Sequence, residues 1–395
     1  MTSTAPHVGH RPRLPALSSE TCSRVLQESQ LNEIMDSIPF WAMGQPRPLR
    51  PPQCMWHGRE VKALRWPGWT GPRPRRTLAR AMADKPIVIV TEPLDEPSLA
   101  YLAEHAEVRA IPIDQLDAHI AVAAGLVVRT YTLVTPDLLD RAPNLKVVGR
   151  AGVALDNIDV PAARARGVEV VHTPAANTLA VVDYTLRMIL EMNRRFWPMD
   201  GPVSEADFLA TRKNRFGRFL ADMTLGIVGV GRIGSRVGRA AAALGMTVLT
   251  NDIRDVTLDY PHQAVDKPAL YAGSDVVTLH VPLTDLTRGL IDADALAMFK
   301  RGAQLINAAR GACVVAADLA DAVRSGRISA AAIDCHEPEP PPADYPLFGL
   351  DHVILTPHIA ARVPAAMAAM CQVVRDVVEV IEGRPPQYPA AEGSY

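Results

Sequence analysis

An α/β fold built on parallel sheets is predicted for this 395-residue chain by three features. From Ile87 onward, short apolar runs alternate with helix-like segments, the rhythm of βαβ units. Residues 224–234 place Gly229, Gly231 and Gly234 directly after an apolar run, at the turn from a strand into a helix. The length exceeds one ordinary hydrophobic core, so two domains are expected.

In chain order, strands are predicted at residues 87–91, 125–129, 145–148 and 168–171, with helices near 97–105, 135–141 and 161–165 between them. Residues 177–195 read as a long helix bridging two domains, with Leu179, Val182, Leu186, Ile189 and Leu190 on its apolar face. The polar stretch after Trp197 contains Pro198, Gly201 and Pro202 and reads as an irregular arm, either a surface loop or a projecting dimer contact. Beyond the glycine run, a helix at 236–244 and strands at 246–252, 276–279, 304–306, 330–333 and 353–355 complete a doubly wound sheet. A final helix over 364–381 finds its simplest place back on the first domain, which makes that domain discontinuous.

Residues 1–81 stand apart, with 12 Lys/Arg against 5 Asp/Glu, four of the five tryptophans and many prolines. They lack the apolar periodicity of a fold and read as a disordered extension or a start placed too early, with Met82 as the natural alternative. The net charge of −2 gives no reason to expect a nucleic-acid partner. No apolar run reaches the ~18 residues of a membrane span. Cys22, Cys54, Cys313, Cys335 and Cys371 are scattered without metal-ligand spacing, which argues against disulfides and structural zinc and fits a cytoplasmic setting. No metal site is expected.

The glycine run carries the first chemical reading. Gly229 permits a tight turn, Gly231 lets backbone approach a pyrophosphate, and Gly234 lets the helix pack on the strand, while the helix N-terminus offers unpaired N–H donors. Asp252, 18 residues beyond Gly234, stands where a carboxylate accepts the adenosine ribose hydroxyls and disfavours a 2′-phosphate, so NAD is expected over NADP. Arg254 is the one residue that softens this preference.

Three further segments follow predicted strands, at the edge where open α/β sheets bind ligands. They are Asn307-Ala308-Ala309-Arg310-Gly311, Asp334-Cys335-His336-Glu337-Pro338-Glu339-Pro340 and Thr356-Pro357-His358. An arginine, acids and a histidine thus converge beside a cofactor. Hydride transfer to a 2-oxo acid needs that set: a fixed cation for the carboxylate or carbonyl, an imidazole to move the alcohol proton, and a carboxylate to orient it. Cys335 and His336 are read as packing or rim residues.

From Met82 onward the chain resembles the D-isomer-specific 2-hydroxyacid dehydrogenase family in its short, phosphoglycerate dehydrogenase-like form. Besides the glycine run, the resemblance rests on the segments 149–157 (GRAGVALDN), 279–284 (LHVPLT), 308–311 (AARG) and 356–359 (TPHI). It implies a Rossmann-type NAD-binding domain over 179–362 and a discontinuous flavodoxin-like substrate domain over 82–178 plus 363–395. It further implies that Arg310 binds and polarises the acid, His358 is the general acid/base and Glu339 orients His358. Cofactor contacts follow at Gly229, Gly231, the amides of Arg232 and Ile233, Gly234, Asp252, Val281, Pro282, Ala308, Ala309, Arg310, Asp334 near the nicotinamide amide, and His358. Substrate contacts follow at Arg129, Thr130, the backbone of Val153 and Ala154, Asn177 and Arg310, and a homodimer through the long helix and arm.

Departures from the family pattern bear on substrate. Ala154 replaces a usual glycine, Tyr131 stands where some phosphoglycerate enzymes carry another arginine, and Arg362 offers a replacement charge. The sequence ends soon after its last helix, so the regulatory extension of longer phosphoglycerate dehydrogenases is not expected. Glu339 and Val153 argue against the formate and phosphite dehydrogenase patterns, which resemble this one with glutamine and lysine there. The alternative from a different class is an NAD-gated binding protein resembling C-terminal binding protein co-repressors.

Overall fold

Five short strands form the first sheet of the computed structural model, which describes residues 85–391; the expectations for residues 1–81 and for a start at Met82 lie outside the described residues. These strands are β1 (Ile87–Val90), β2 (Glu107–Ala110), β3 (Gly125–Val128), β4 (Val147–Arg150) and β5 (Glu169–His172). All pair in parallel in the order β2-β1-β3-β4-β5, the flavodoxin-like arrangement. Apart from the edge strand β2, their runs are short and mostly apolar because both faces are covered, so burial is continuous along β3. Connecting helices α1 (Glu96–His105), α3 (Pro136–Asp140) and α4 (Val160–Ala165) start at Asp95, Thr135 and Asp159, whose side chains accept from the third backbone N–H beyond them; α2 (Leu116–His119) is a single turn.

The second sheet contains β6 (Thr224–Val228), β7 (Thr247–Asn251), β8 (Gln263–Ala264), β9 (Val276–Leu279), β10 (Ala303–Asn307), β11 (Ile328–Ile333) and β12 (Val353–Leu355). Its order β12-β11-β10-β9-β6-β7-β8 is wholly parallel and reverses direction between β6 and β9. That reversal is the crevice in which doubly wound sheets bind ligands, and the glycine turn opens into it. Flanking helices are α5 (Thr178–Asn193), α6 (Glu205–Asn214), α7 (Gly234–Ala243), α8 (Lys267–Gly273), α9 (Ala293–Met298) and α10 (Ala316–Arg324). No helix among the described residues is long and apolar enough to cross a membrane.

The chain ends in α11 (Pro364–Cys371) and α12 (Val373–Ile381), two helices separated at Gln372 where one was predicted. Val373, Val374, Val377 and Val378 of α12 pack among Val88, Val127, Val147 and Val171 of the first sheet. Contact is close enough that a Cβ on Gly149 of β4 would run into Val377.

Three local expectations are corrected. Leu179 and Leu190 of α5 are 67% and 48% exposed; the buried stripe runs instead through Thr178, Val181, Val182, Thr185, Met188 and Ile189. Thr185 sits in that stripe with its hydroxyl donating to the Val181 carbonyl at 2.8 Å, a satisfied polar group that hid the true face from an apolar-only reading. The arm after Trp197 contains α6, started by Ser204, whose Oγ accepts from Asp207 N at 3.1 Å. β4 begins at Val147 rather than 145, because Leu145 N closes a turn on the Ala142 carbonyl.

Candidate active site

The glycine turn after β6 has the shape a dinucleotide requires. Gly229 lies at φ +90°, and a Cβ there would meet the His280 carbonyl at 2.6 Å and Val281 at 2.8 Å. A Cβ on Gly234 would strike the Gly229 carbonyl, whereas one on Gly231 would point into open space. The backbone N–H groups of Gly231, Arg232 and Ile233 donate to no acceptor among the described residues, and they lie at the start of α7. A cavity of about 590 Å³ runs from this turn past Arg236 and Arg239 to residues 256–259. The turn and cavity fit a pyrophosphate and an adenosine.

Asp252 lies at the end of β7, its Oδ2 accepting from Val230 N at 2.8 Å and its Oδ1 from Arg254 N at 3.0 Å and Arg254 Nε at 3.3 Å. Burial works to raise its carboxyl, but these donors outweigh it and hold the group below the usual carboxylate range. Val281 and Pro282 follow β9, the latter accepting from Thr287 Oγ1 at 2.6 Å.

Arg310 is presented by a turn that its neighbour Asn307 shapes: the Asn307 side chain accepts from Ala309 N at 3.1 Å and donates to the Arg310 carbonyl at 2.8 Å, with Ala308 between. The Arg310 Nε donates to Asp156 at 2.7 Å. His358 follows β12, and its Nδ1 lies 3.0 and 3.1 Å from the two Glu339 oxygens, Glu339 having come from the segment after β11. With Nδ1–H donated to Glu339, the tautomer leaves Nε2 for a ligand.

Asp334, at the end of β11, is fully buried and holds the histidine loop. It accepts from Thr356 Oγ1 at 2.6 Å, Ile359 N at 2.8 Å and Ala360 N at 2.9 Å, and its own carbonyl accepts from His358 N at 2.8 Å. That grip matters because His358 sits at φ +52°, a left-handed conformation that carries on the order of 1 kcal/mol of strain in an L-residue. Three of about four acceptor positions on the carboxylate are filled. Tyr184 of α5 joins its hydroxyl to Thr356 Oγ1 at 2.6 Å, and burial pushes its phenol up to about 12. Cys335 and His336 are both buried, the latter with Nε2 2.9 Å from the Thr356 carbonyl, and so serve packing.

The loop after β4 supplies the opposite wall. Val153 N and Ala154 N have no acceptor among the described residues, while the Val153 carbonyl is held by His172 Nδ1 at 2.7 Å. Arg150, at the start of this loop, carries no side-chain hydrogen bond, and its Nε is buried without a partner. Burial, together with the nearby Arg310 charge, pushes its guanidinium down to about 10. Asn177 caps this region at the start of α5 with a buried, unpartnered Oδ1. Arg129 and Thr130 donate their backbone N–H groups to Glu92, and the Arg129 guanidinium turns to the Pro93 carbonyl at 2.9 Å. Sequence reasoning gave no role to Arg150, Asp156, Tyr184 or Thr356, although Arg150 and Asp156 lie inside the 149–157 segment that it singled out.

Residues 186–360 match the family described as D-isomer specific 2-hydroxyacid dehydrogenase, NAD binding domain. The D-3-phosphoglycerate dehydrogenase of Archaeoglobus fulgidus is 36% identical over 306 residues, 75% of this chain and 58% of that protein, so the chain spans little more than half of that relative. The hydroxypyruvate reductase of Thermotoga maritima is 35% identical over 285 residues, 71% of this chain and 92% of that protein. Among solved structures, D-lactate dehydrogenase from Aquifex aeolicus, in complex with NAD and lactic acid, superposes with a TM-score of 0.65 at 27% identity, covering 75% of this chain and 96% of that one. Two parallel sheets, a dinucleotide turn at the switch point, and a relative 35% identical over 92% of its length place the chain in one lineage: it belongs to the D-isomer specific 2-hydroxyacid dehydrogenase family.

Proposed function

We propose that the chain is an NAD-dependent D-2-hydroxyacid dehydrogenase that reduces a small 2-oxo acid. The observation that carries this reading is the His358–Glu339 pair at 3.0 Å on the same sheet edge as Arg310 and the glycine turn. Gly229, Gly231, Arg232, Ile233, Gly234 and Asp252 hold NAD, with Val281, Pro282, Ala308, Ala309, Arg310, Asp334 and His358 around its nicotinamide end. When bound, NADH supplies the hydride. The free N–H groups of Val153 and Ala154 take the substrate carboxylate, assisted by Arg129, Thr130 and Asn177, and Arg310 polarises the oxo group. His358 then delivers a proton from Nε2 to the developing alkoxide, and Glu339 stabilises the imidazolium before transfer. The first sheet with α11 and α12 forms the substrate domain (82–178 plus 363–395), and the second sheet the NAD-binding domain (179–362).

A recess of about 420 Å³ beside Glu339, lined by Tyr131, Pro340 and Phe348 among others, leaves room for a substituent on the acid. The test is therefore a panel of glyoxylate, hydroxypyruvate and phosphohydroxypyruvate with NADH, followed by the loss of NADH absorbance. Turnover of at least one is expected; NADH binding without turnover across the panel would overturn the reading in favour of a binding protein. In the same assay Asp252→Ala should shift the kcat/KM ratio toward NADPH by about five- to tenfold, the scale of the ~1 kcal/mol that a like-charge contact at about 4 Å carries in water. An unchanged ratio would move cofactor choice to Arg254 or another loop residue.

A homodimer and a cytoplasmic setting complete the reading. Leu179, Leu190, Phe196, Trp197, Phe216 and Phe219 expose a large apolar area along α5 and the arm, which supports self-association there. The free, buried thiols of Cys313, Cys335 and Cys371 support a reducing compartment.

A further inference from the structure

Two nitrogens of the Arg310 guanidinium are already committed within the protein. Nε donates to Asp156 Oδ2 at 2.7 Å and Nη1 to the Ala309 carbonyl at 2.6 Å, while Nη2 has no acceptor among the described residues. Asp156 lies 154 residues away in the sequence, on the same loop as the unpartnered Val153 and Ala154 N–H groups. One carboxylate therefore joins the two walls of the site.

We propose that Asp156 is a positioning residue for Arg310: its carboxylate fixes the guanidinium through Nε, turns the Nη2 edge toward the substrate, and registers that edge against the loop that receives the substrate carboxylate. The inference rests on the reading of this site as one for 2-oxo acids.

An ion pair of this kind is a poor staple. The two side chains are 28% and 37% exposed, and pairs so open to water contribute ~0–1 kcal/mol to stability. What it supplies is orientation. Arginine is a long, flexible side chain whose value lies in a planar fork held at one angle, and a fork held at Nε presents its outer edge in a defined plane. Asp156 also stands with Arg310 in the electrostatic surroundings of Arg150, and the two act in opposite directions on it. Without the carboxylate, Arg310 would face the unpaired Arg150 guanidinium and be driven off its angle. The alternative is that the contact is a passive tie between loops, whose loss would weaken the fold and touch catalysis only indirectly.

A double-mutant cycle separates these cases. Asp156→Ala, Asp156→Leu and Asp156→Glu are prepared alone and with Arg310→Lys, whose ammonium has no Nε to hold. Each is assayed for kcat and KM with glyoxylate and NADH, for NADH affinity by fluorescence, and for oxamate affinity of the NADH complex. Asp156→Ala should lower kcat/KM on the order of 10²-fold, the effect of about 1 Å of misplacement at a reacting group, with NADH affinity unchanged. Asp156→Glu should recover part of the loss. In the Arg310→Lys background the same Asp156→Ala change should cost no more than about threefold, since groups that act as one unit are not additive.

Full multiplication of the two effects, or wild-type kcat/KM in Asp156→Ala, would overturn the proposal. Should Asp156→Ala lose NADH binding through misfolding, the near-isosteric Asp156→Leu, which offers Nε no acceptor, carries the same comparison, with the same outcomes deciding. Failure of the underlying reading is distinguishable: the wild-type enzyme would then reduce none of glyoxylate, hydroxypyruvate and phosphohydroxypyruvate, and the proposal would fall with it; where it reduces one of the latter two instead of glyoxylate, the cycle is run with that acid.

Discussion

His358→Ala is expected to lower kcat for 2-oxo acid reduction by ~10²- to 10⁴-fold, the usual worth of a positioned general acid. The imidazole has one strong anchor, Glu339, at 3.0 and 3.1 Å from Nδ1, so Nε2 remains as the proton-bearing atom. NADH affinity should fall far less than turnover, because the glycine turn that receives the pyrophosphate lies on the other side of the strand-order reversal from the ring. The backbone at φ +52° must be controlled for. Asparagine tolerates the left-handed region better than alanine, so His358→Asn should keep more stability while losing the same turnover. A near wild-type rate in either variant would remove His358 from the mechanism. Glu339→Gln tests the anchor separately. It withdraws the carboxylate that holds Nδ1, so kcat should fall, though by less than in His358→Ala, when followed by steady-state kinetics.

Arg310→Leu should lower kcat/KM by at least ~10²- to 10³-fold, the scale on which removing one preorganised donor to a developing oxyanion is felt. Both kcat and KM should suffer if, as proposed, the guanidinium takes part in binding the acid as well as in polarising its oxo group. Arg310→Lys should retain part of the charge effect but not the fork, and so fall between leucine and wild type. The measurement is steady-state kinetics with oxamate affinity alongside. Loss of oxamate binding with turnover intact would assign Arg310 to ground-state binding alone.

Apart from its edge strand β8, the second sheet is legible in the sequence because its strands are compact, mostly apolar runs bounded by turn residues. Val276–Leu279 and Val353–Leu355 are predicted to the residue, and the glycine turn announces the crevice. The edge strand β2 is not legible: Glu107–Ala110 is only half-buried at its centre and exposed at both ends, so no run of apolar residues marks it. β8 has two exposed residues and leaves no pattern either. The exposed leucines of α5 mislead because large apolar residues were counted without asking whether a small or hydroxyl residue could be buried in their place. At the site, Arg310, Glu339 and His358 are legible as residue types after strands. Asp334 as the clamp on the histidine loop, and Asp156 as the partner of Arg310, are not. Both roles depend on contacts across 22 to 154 residues that no local pattern encodes.

The packing of α12 against the first sheet sets an order for folding during synthesis. β1 to β5 are all made before the glycine turn, yet the valine-rich face of that sheet, which α1 covers only in part through Leu102, stays otherwise bare until Val373–Ile381 has emerged from the ribosome. The second sheet closes its own core earlier, with elements that end at Leu355. The part encoded first is therefore finished last, and in the interval it presents a bare β-surface of the kind that draws chaperones or aggregates.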